Sequence, residues 1–277
     1  MSQVLVWRAE EKHVFTRQMG RSFKERELIL ERDYRKIADE ALMNNTKIRR
    51  LVIREPLREV GMRSFYHCSA LRSLSLGGIQ SIRKEAFSGC VRLKEAVLPG
   101  ELSYLGRGAF SGCRRMESIQ SAPDMRCPAI LEESFLECRN LQTCRLPDSV
   151  QVISARAFYK CVSLNALKLP RRIRVIGREA FYQTGMNELE LPKGLEVIED
   201  SAFLKCSQLT YVRLPRSVKR IEKWAFHGCN RLKTLEIAHD PEFIGEWIIN
   251  RSAAIRCVRG GKVDRYCQNA GFTTEYI

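Results

Sequence analysis

The stretch Val150-Gln151-Val152-Ile153-Ser154-Ala155-Arg156-Ala157-Phe158-Tyr159-Lys160-Cys161-Val162-Ser163-Leu164-Asn165-Ala166-Leu167-Lys168-Leu169-Pro170 decides the fold, because most of the chain from Tyr34 to Ile237 is a variant of it. Its phenylalanine recurs at Phe65, Phe87, Phe110, Phe135, Phe158, Phe181, Phe203 and Phe226, in steps of 22, 23, 25, 23, 23, 22 and 23 residues. A small residue, Ser or Ala, precedes every one of them. Three positions later stands a cysteine, at Cys68, Cys90, Cys113, Cys138, Cys161, Cys206 and Cys229, with Thr184 as the exception. Five positions earlier stands an aliphatic residue, from Val60 and Ile82 through Ile221. Pairs such as Leu74/Leu76, Leu167/Leu169, Val212/Leu214 and Leu235/Ile237 close each unit. Ile37, Ala41, Leu42, Leu51 and Ile53 form a degenerate copy ahead of the first phenylalanine.

A period near 23 residues predicts a solenoid, since one such unit cannot bury its apolar residues alone and must stack on its neighbours. The Leu-x-Leu pairs follow the period of two of a strand. Stacked coils therefore build a parallel sheet with the intervening residue of each pair on the solvent face. Proline at 99, 147, 170, 192 and 215 follows the pair and ends the strand, because it has no N–H to donate. The Ala-Phe-x-x-Cys arc requires a tight or 3₁₀ turn to direct all three side chains inward. The stacked phenylalanines then form a spine, each contributing about 1.5–3 kcal/mol on burial.

These residues resemble the BspA-like leucine-rich repeat family, found mostly in bacteria, and the resemblance covers most of the chain. It implies a binding surface rather than an enzyme, often displayed on cells. The stretch from Ile255-Arg256-Cys257 through Gly271-Phe272 to Ile277 is similar to the segment that closes many such arrays. Two departures stand out: no export signal is recognised, and the unit between Phe110 and Phe135 lacks the Leu-Pro signature. In that unit Ser121 replaces the second leucine, and Pro123, Cys127 and Pro128 occupy the turn, so the bulge from Met116 to Ile130 is a candidate binding loop.

The expected organisation is an N-terminal cap over residues 1–33, the solenoid over 34–238 with one degenerate and eight clear coils, and a closing coil, short helix and strand over 239–277. Three readings of the first segment remain open. Val4–Trp7 and His13–Thr16 could pair as a hairpin, Leu28–Leu30 could be the strand of a further coil, or one amphipathic helix could run from Phe23 to Leu42. At the other end Trp247-Ile248-Ile249 replaces the phenylalanine arc, residues 261–269 read as a helix, and Gly271 as its left-handed stop.

Composition bounds the function. No apolar run approaches the roughly 18 residues that span a bilayer, and the run Val4–Trp7 is far shorter than a signal-peptide core. Eleven cysteines, an odd number concentrated at one repeat position, read as free thiols in a reducing compartment. The cytoplasm is therefore expected, with a surface or secreted location by an unusual route as the alternative. No Cys-x-x-Cys pair offers a metal site. His67 and His227 neighbour ladder cysteines, but a residue beside an inward cysteine points elsewhere, so no Cys-His dyad is expected. With no phosphate loop, nucleophile elbow or zinc-protease motif, no enzyme and no cofactor is assigned.

Lys and Arg number 47 against 32 Asp and Glu, a formal charge of +15. The residues between the paired leucines read Val52, Ser75, Val97, Gln120, Arg145, Lys168, Glu190, Arg213 and Glu236, a mixed row rather than a uniform phosphate track. The expected function is a protein-interaction scaffold, with Arg145, Lys168, Glu190, Tyr211 and Arg213 on the sheet face contacting a protein partner. The alternative is binding of an acidic polymer, nucleic acid or anionic polysaccharide, through overall positive charge.

Overall fold

The computed structural model describes residues 13–31 and 34–277. They form a right-through solenoid of about 11 turns, in which every strand pairing is parallel. Most coils cross two ladders. The long ladder uses the Leu-x-Leu strands and falls into three blocks. Glu27–Leu30, Arg50–Ile53 and Ser73–Leu76 form the first, and Glu95–Leu98, Ser118–Ser121, Thr143–Arg145 and Ala166–Lys168 the second. The third comprises Tyr211–Leu214, Thr234–Ile237, Ala254–Cys257 and Thr273–Tyr276. The short ladder uses two-residue strands around the aliphatic residue five before the phenylalanine, such as Val152–Ile153 beside Val175–Ile176.

The arc between the ladders explains the rest of the repeat. Around Phe158 the N–H groups alternate in direction. Those of Arg156, Phe158 and Lys160 donate to Arg178, Ala180 and Tyr182 of the next coil, at 2.9, 2.8 and 2.8 Å. Those of Ala157, Tyr159 and Cys161 close turns within the coil, at 3.3, 3.1 and 3.2 Å. That alternation puts the residues two before and two after the phenylalanine in the left-handed region, as at Arg156 (φ 56°) and Lys160 (φ 57°). Gly108 and Gly112 hold the same places in an earlier coil, at φ 63° and 70°. Local composition does not announce these positions, because most are occupied by residues that pay the left-handed penalty.

The predicted spine is present. Every phenylalanine from Phe65 to Phe226 is fully buried, and successive rings lie 5.0–5.9 Å apart with planes within 2–24° of parallel. The ladder spacing of about 4.8 Å leaves the rings in offset stacking, a favoured aromatic geometry. All eleven cysteines are free and buried. Each ladder thiol donates back to the preceding coil, Cys161 Sγ to Phe135 O at 3.1 Å and Cys138 Sγ to Phe110 O at 3.2 Å. Thr184 keeps the pattern only in part, its Oγ1 turning to Phe181 O of its own coil at 3.2 Å.

Near the N-terminus the structure decides among the three readings. Val14–Phe15 pairs parallel with Lys36–Ile37, and Glu27–Leu30 pairs parallel with Arg50–Ile53, so this segment continues both ladders. A helix from Phe23 to Leu42 does not form; the strands Glu27–Leu30 and Lys36–Ile37 instead bury Leu28, Leu30 and Ile37 in the core shared with the next coil. The hairpin is also corrected on its described side, since Val14–Phe15 already pairs with the next coil; Val4–Trp7 lies outside the described residues. Among the described residues the only helix here is short, Arg17–Ser22, capped by Thr16. The irregular stretch from Met116 to Ile130 interrupts the short ladder between Tyr104–Leu105 and Ala129–Ile130. The long ladder passes through it unbroken, and Met125 and Cys127 plug into the core.

At the far end Ile248 and Ile249 are buried where the arc expects Ala and Phe, and Phe226 N–H donates to Ile248 O at 2.8 Å. The helix Lys262–Ala270 follows, with Gly271 at φ 70° as its stop. Gly261 supplies no side-chain cap, so Asp240 of the previous coil does, accepting from Lys262 N at 2.7 Å and Val263 N at 3.2 Å.

Candidate functional site on the long ladder

The solvent face of the long ladder carries the charged row, and its register fixes which charges meet. Gln120 stands opposite Arg145, and Arg145 opposite Lys168. Farther along, Arg213 stands opposite Glu236, Glu236 opposite Arg256, and Arg256 opposite Glu275. The C-terminal part of the row therefore alternates in sign from coil to coil, and it neutralises itself. Arg213 Nε lies 2.9 Å from Glu236 Oε1, and Arg256 Nη2 lies 2.9 Å from Glu275 Oε2. Tyr211 donates its hydroxyl to Glu236 Oε2 at 2.6 Å. That hydrogen bond, onto a carboxylate, pushes the Tyr211 phenol above its ordinary pKa.

These contacts revise the expected site. Arg213 and Tyr211 lie on the solvent face, but both are held by Glu236, which is itself only 7% exposed rather than solvent-facing. Glu190 is exposed, yet its coil forms no strand on this face, so the row is interrupted there. Arg145 and Lys168 are exposed neighbours on adjacent strands, and among the described residues neither makes an ion pair. Two cations held about 4.8 Å apart through their backbones repel.

The same five residues line a continuous groove. Its first hollow, about 590 Å³, contains Ser121, Arg145 and Lys168. The second, about 530 Å³, contains Lys168 and Glu190, and the third, about 810 Å³, contains Glu190, Tyr211 and Arg213. Lys168 joins the first two hollows and Glu190 joins the last two. Leu167, Leu169, Leu189 and Leu191 supply apolar floor. At the first hollow Ser121 adds a buried hydroxyl that has no hydrogen-bond partner among the described residues. Sequence reasoning placed Ser121, from its replacement of a strand leucine, in a candidate binding loop but not among the sheet-face contacts, where the structure puts it.

The thiols of the cysteine ladder are buried, and most are held protonated. Burial pushes Cys68 and Cys138 up to about 12, and Cys90, Cys113 and Cys161 rise as well for the same reason. Reactive thiols need the opposite shift, which within the ladder only Cys206 shows. Burial raises it, but hydrogen bonds with Cys229 and Thr184 outweigh that and lower it, while Cys229 rises. Cys206 is nonetheless fully buried and donates to Phe181 O at 3.0 Å. His67 is exposed and stacks on Tyr66 at 4.1 Å, while the neighbouring Cys68 thiol turns inward to Leu42 O. No cluster of three or more His, Cys, Asp or Glu residues that could hold a metal ion occurs among the described residues. No helix among them is long and apolar enough to cross a membrane.

Coils near 23 residues, a phenylalanine arc and a parallel Leu-x-Leu ladder define a solenoid of the leucine-rich-repeat class. The chain belongs to the BspA type leucine rich repeat family, whose model matches in 6 copies over residues 21–126 and 129–256. Among solved structures, a leucine-rich repeat protein from Bacteroides ovatus is similar at 21% identity and a TM-score of 0.56, covering 91% of this chain and 83% of that one. The pneumococcal vaccine antigen PcpA is similar at 16% identity and a TM-score of 0.53, covering 91% of this chain and 78% of the other. At these identities the likeness concerns the fold. No curated protein matches the sequence.

Proposed function

We propose that the protein is a non-catalytic interaction scaffold whose groove on the long ladder, centred on Arg145, Lys168 and Glu190, contacts a protein partner. The observation that carries this reading is the unpaired Arg145–Lys168 couple, retained in a row whose later charges are matched coil by coil. A partner carboxylate placed between the two would relieve their repulsion. Apolar floor beneath mixed charge suits a protein surface better than a polyanion, which favours an uninterrupted basic track. On this reading residues 1–33 and 239–277 close the two ends of the solenoid, as exposed ends require. The eleven buried, free thiols support a reducing compartment.

The test is affinity capture from a bacterial lysate with the wild-type protein and with Arg145→Glu/Lys168→Glu, each with and without nuclease. Proteins retained by the wild type through nuclease, and lost with the double variant at unchanged circular dichroism, are the expected result. An identical set on both baits would move the site off this groove. Loss of everything on nuclease treatment would favour an acidic polymer instead.

A further inference from the structure

The long ladder opens in the coil that also loses its cysteine. Residues 187–191 form no strand, so Ala166–Lys168 pairs only with Thr143–Arg145, and Tyr211–Leu214 only with Thr234–Ile237. Among the described residues every other coil from residue 27 onward crosses this face as a strand. The break between Ser73–Leu76 and Glu95–Leu98 is milder: both coils keep their strands, and Lys94 N–H still donates to Arg72 O at 3.4 Å. The opening begins just past a tight place, since a Cβ on Gly185 would meet Val162 O at 2.4 Å.

Two edge strands therefore face each other across a segment that pairs with neither. An edge strand presents a row of unmatched N–H and C=O groups, which a further strand can pair. Space is available beside them. The hollow of about 530 Å³ lies between the segment and the preceding coil, and the one of about 810 Å³ between the segment and Tyr211–Leu214. Leu189 and Leu214 line the larger hollow together with Lys193 and Arg216, and among the described residues neither cation makes an ion pair. With Lys168 and Arg171 in the smaller hollow, cations outnumber the acidic Glu188 and Glu190.

We propose that this opened coil is a strand-addition site, where an extended segment of a protein partner pairs main chain to main chain with the free edge of Tyr211–Leu214. The segment carries alternating acidic and apolar side chains. The strand period of two sends its acidic residues to the cations at the rim and its apolar residues to the floor. The proposal rests on the scaffold reading for the class of partner and adds main-chain recognition to it.

The probe is a fluorescein-labelled peptide, Asp-Val-Asp-Leu-Asp-Val-Asp, with blocked ends, titrated with the full chain and followed by anisotropy. A lysine version replaces every aspartate, and two further versions are N-methylated at alternate residues, one in each register. The aspartate peptide is expected to bind and the lysine peptide to bind at least about tenfold more weakly. N-methylation should weaken binding about tenfold in one register and little in the other, because a strand edge uses every second N–H. Asn187→Thr/Glu188→Tyr/Leu189→Val/Glu190→Arg, which copies the Thr210–Arg213 sequence into the opened coil, should close the ladder and remove peptide binding.

Failure of the aspartate peptide to bind, equal affinities in the two N-methylated registers, or undiminished binding to a folded four-site variant would each overturn strand addition. Should the peptides fail while Arg145→Glu/Lys168→Glu still abolishes protein capture, strand addition is wrong and the scaffold reading stands. Should capture survive that double variant, the scaffold site is wrong whatever the peptides do.

Discussion

Truncating one ring of the spine tests whether stacking stabilises the solenoid beyond simple burial. Phe158 is fully buried with a ring on either side, Phe135 at 5.2 Å and Phe181 at 5.4 Å. Phe226 is equally buried but has one stacked neighbour, Phe203 at 5.0 Å, because Ile249 takes the place in the following coil. Replacing either by alanine removes the same side chain and leaves a comparable cavity, at a cost of about 3–5 kcal/mol. Each offset ring pair contributes about 0.5–1.5 kcal/mol more. Phe158→Ala should therefore be more destabilising than Phe226→Ala by that last amount. The assay is equilibrium urea unfolding followed by far-ultraviolet circular dichroism, which reports the whole array. Tryptophan fluorescence, to which Trp224 and Trp247 contribute from the last coils, serves as a second probe. Coincident transitions license the comparison, since repeat arrays can lose cooperativity. Equal losses for the two variants would refute the stacking contribution and leave burial alone as the source of the spine's stability.

Three further outcomes follow from the geometry of the coils. Cys68 and Cys138 are raised by burial to about 12, whereas the unfolded chain ionises them near 9.0. The folded state thus holds more protons above that point, and stability should be complete below about pH 9 and fall between pH 9 and 12, by about 1.4 kcal/mol per unit for each thiol; a flat stability profile through that window would contradict it. Gly112→Ala should cost about 1–2 kcal/mol through backbone strain alone, because φ is 70° while the nearest atom to a new Cβ is 3.8 Å away; an unchanged melting temperature would count against the left-handed assignment. Arg26, Arg49 and Arg72 stack on successive coils, with Arg49 N–H donating to Arg26 O at 2.6 Å and Arg72 N–H to Arg49 O at 2.8 Å. Arg49→Glu should stabilise by about 0.2–1 kcal/mol, with the gain fading in about 1 M salt as the screening length drops to about 3 Å; a loss of stability would show that the column is not repulsive.

Much of this molecule is legible in a single repeat. Phe158, Cys161, Ile153 and Leu164 sit at fixed offsets, and all are fully buried. Inward direction follows from local spacing, so a pattern repeated eight times leaves little choice of core. The C-terminal end was readable for the same reason, with Gly271 stopping the last helix and Ile248-Ile249 replacing Ala-Phe. The degenerate coils at the N-terminus were ambiguous because Leu28, Leu30, Tyr34 and Ile37 satisfy both a helical and a strand period over so short a stretch.

The candidate groove was legible only as a row of exposed residues. Arg145, Lys168 and Arg213 look alike in the repeat, each an outward cation between two apolar residues. Sequence alone determined that they face solvent, Arg145 and Lys168 on neighbouring coils and Arg213 two coils on. Tertiary structure decided that Arg213 is bound to Glu236 while Arg145 and Lys168 face each other unpaired. It also decided that the Glu190 coil opens between two strand edges although Leu189 and Leu191 preserve the strand pattern. The physical reason is one of range. Burial is set within a coil by the period of the chain, whereas charge pairing and ladder closure depend on the register and separation of one coil against the next.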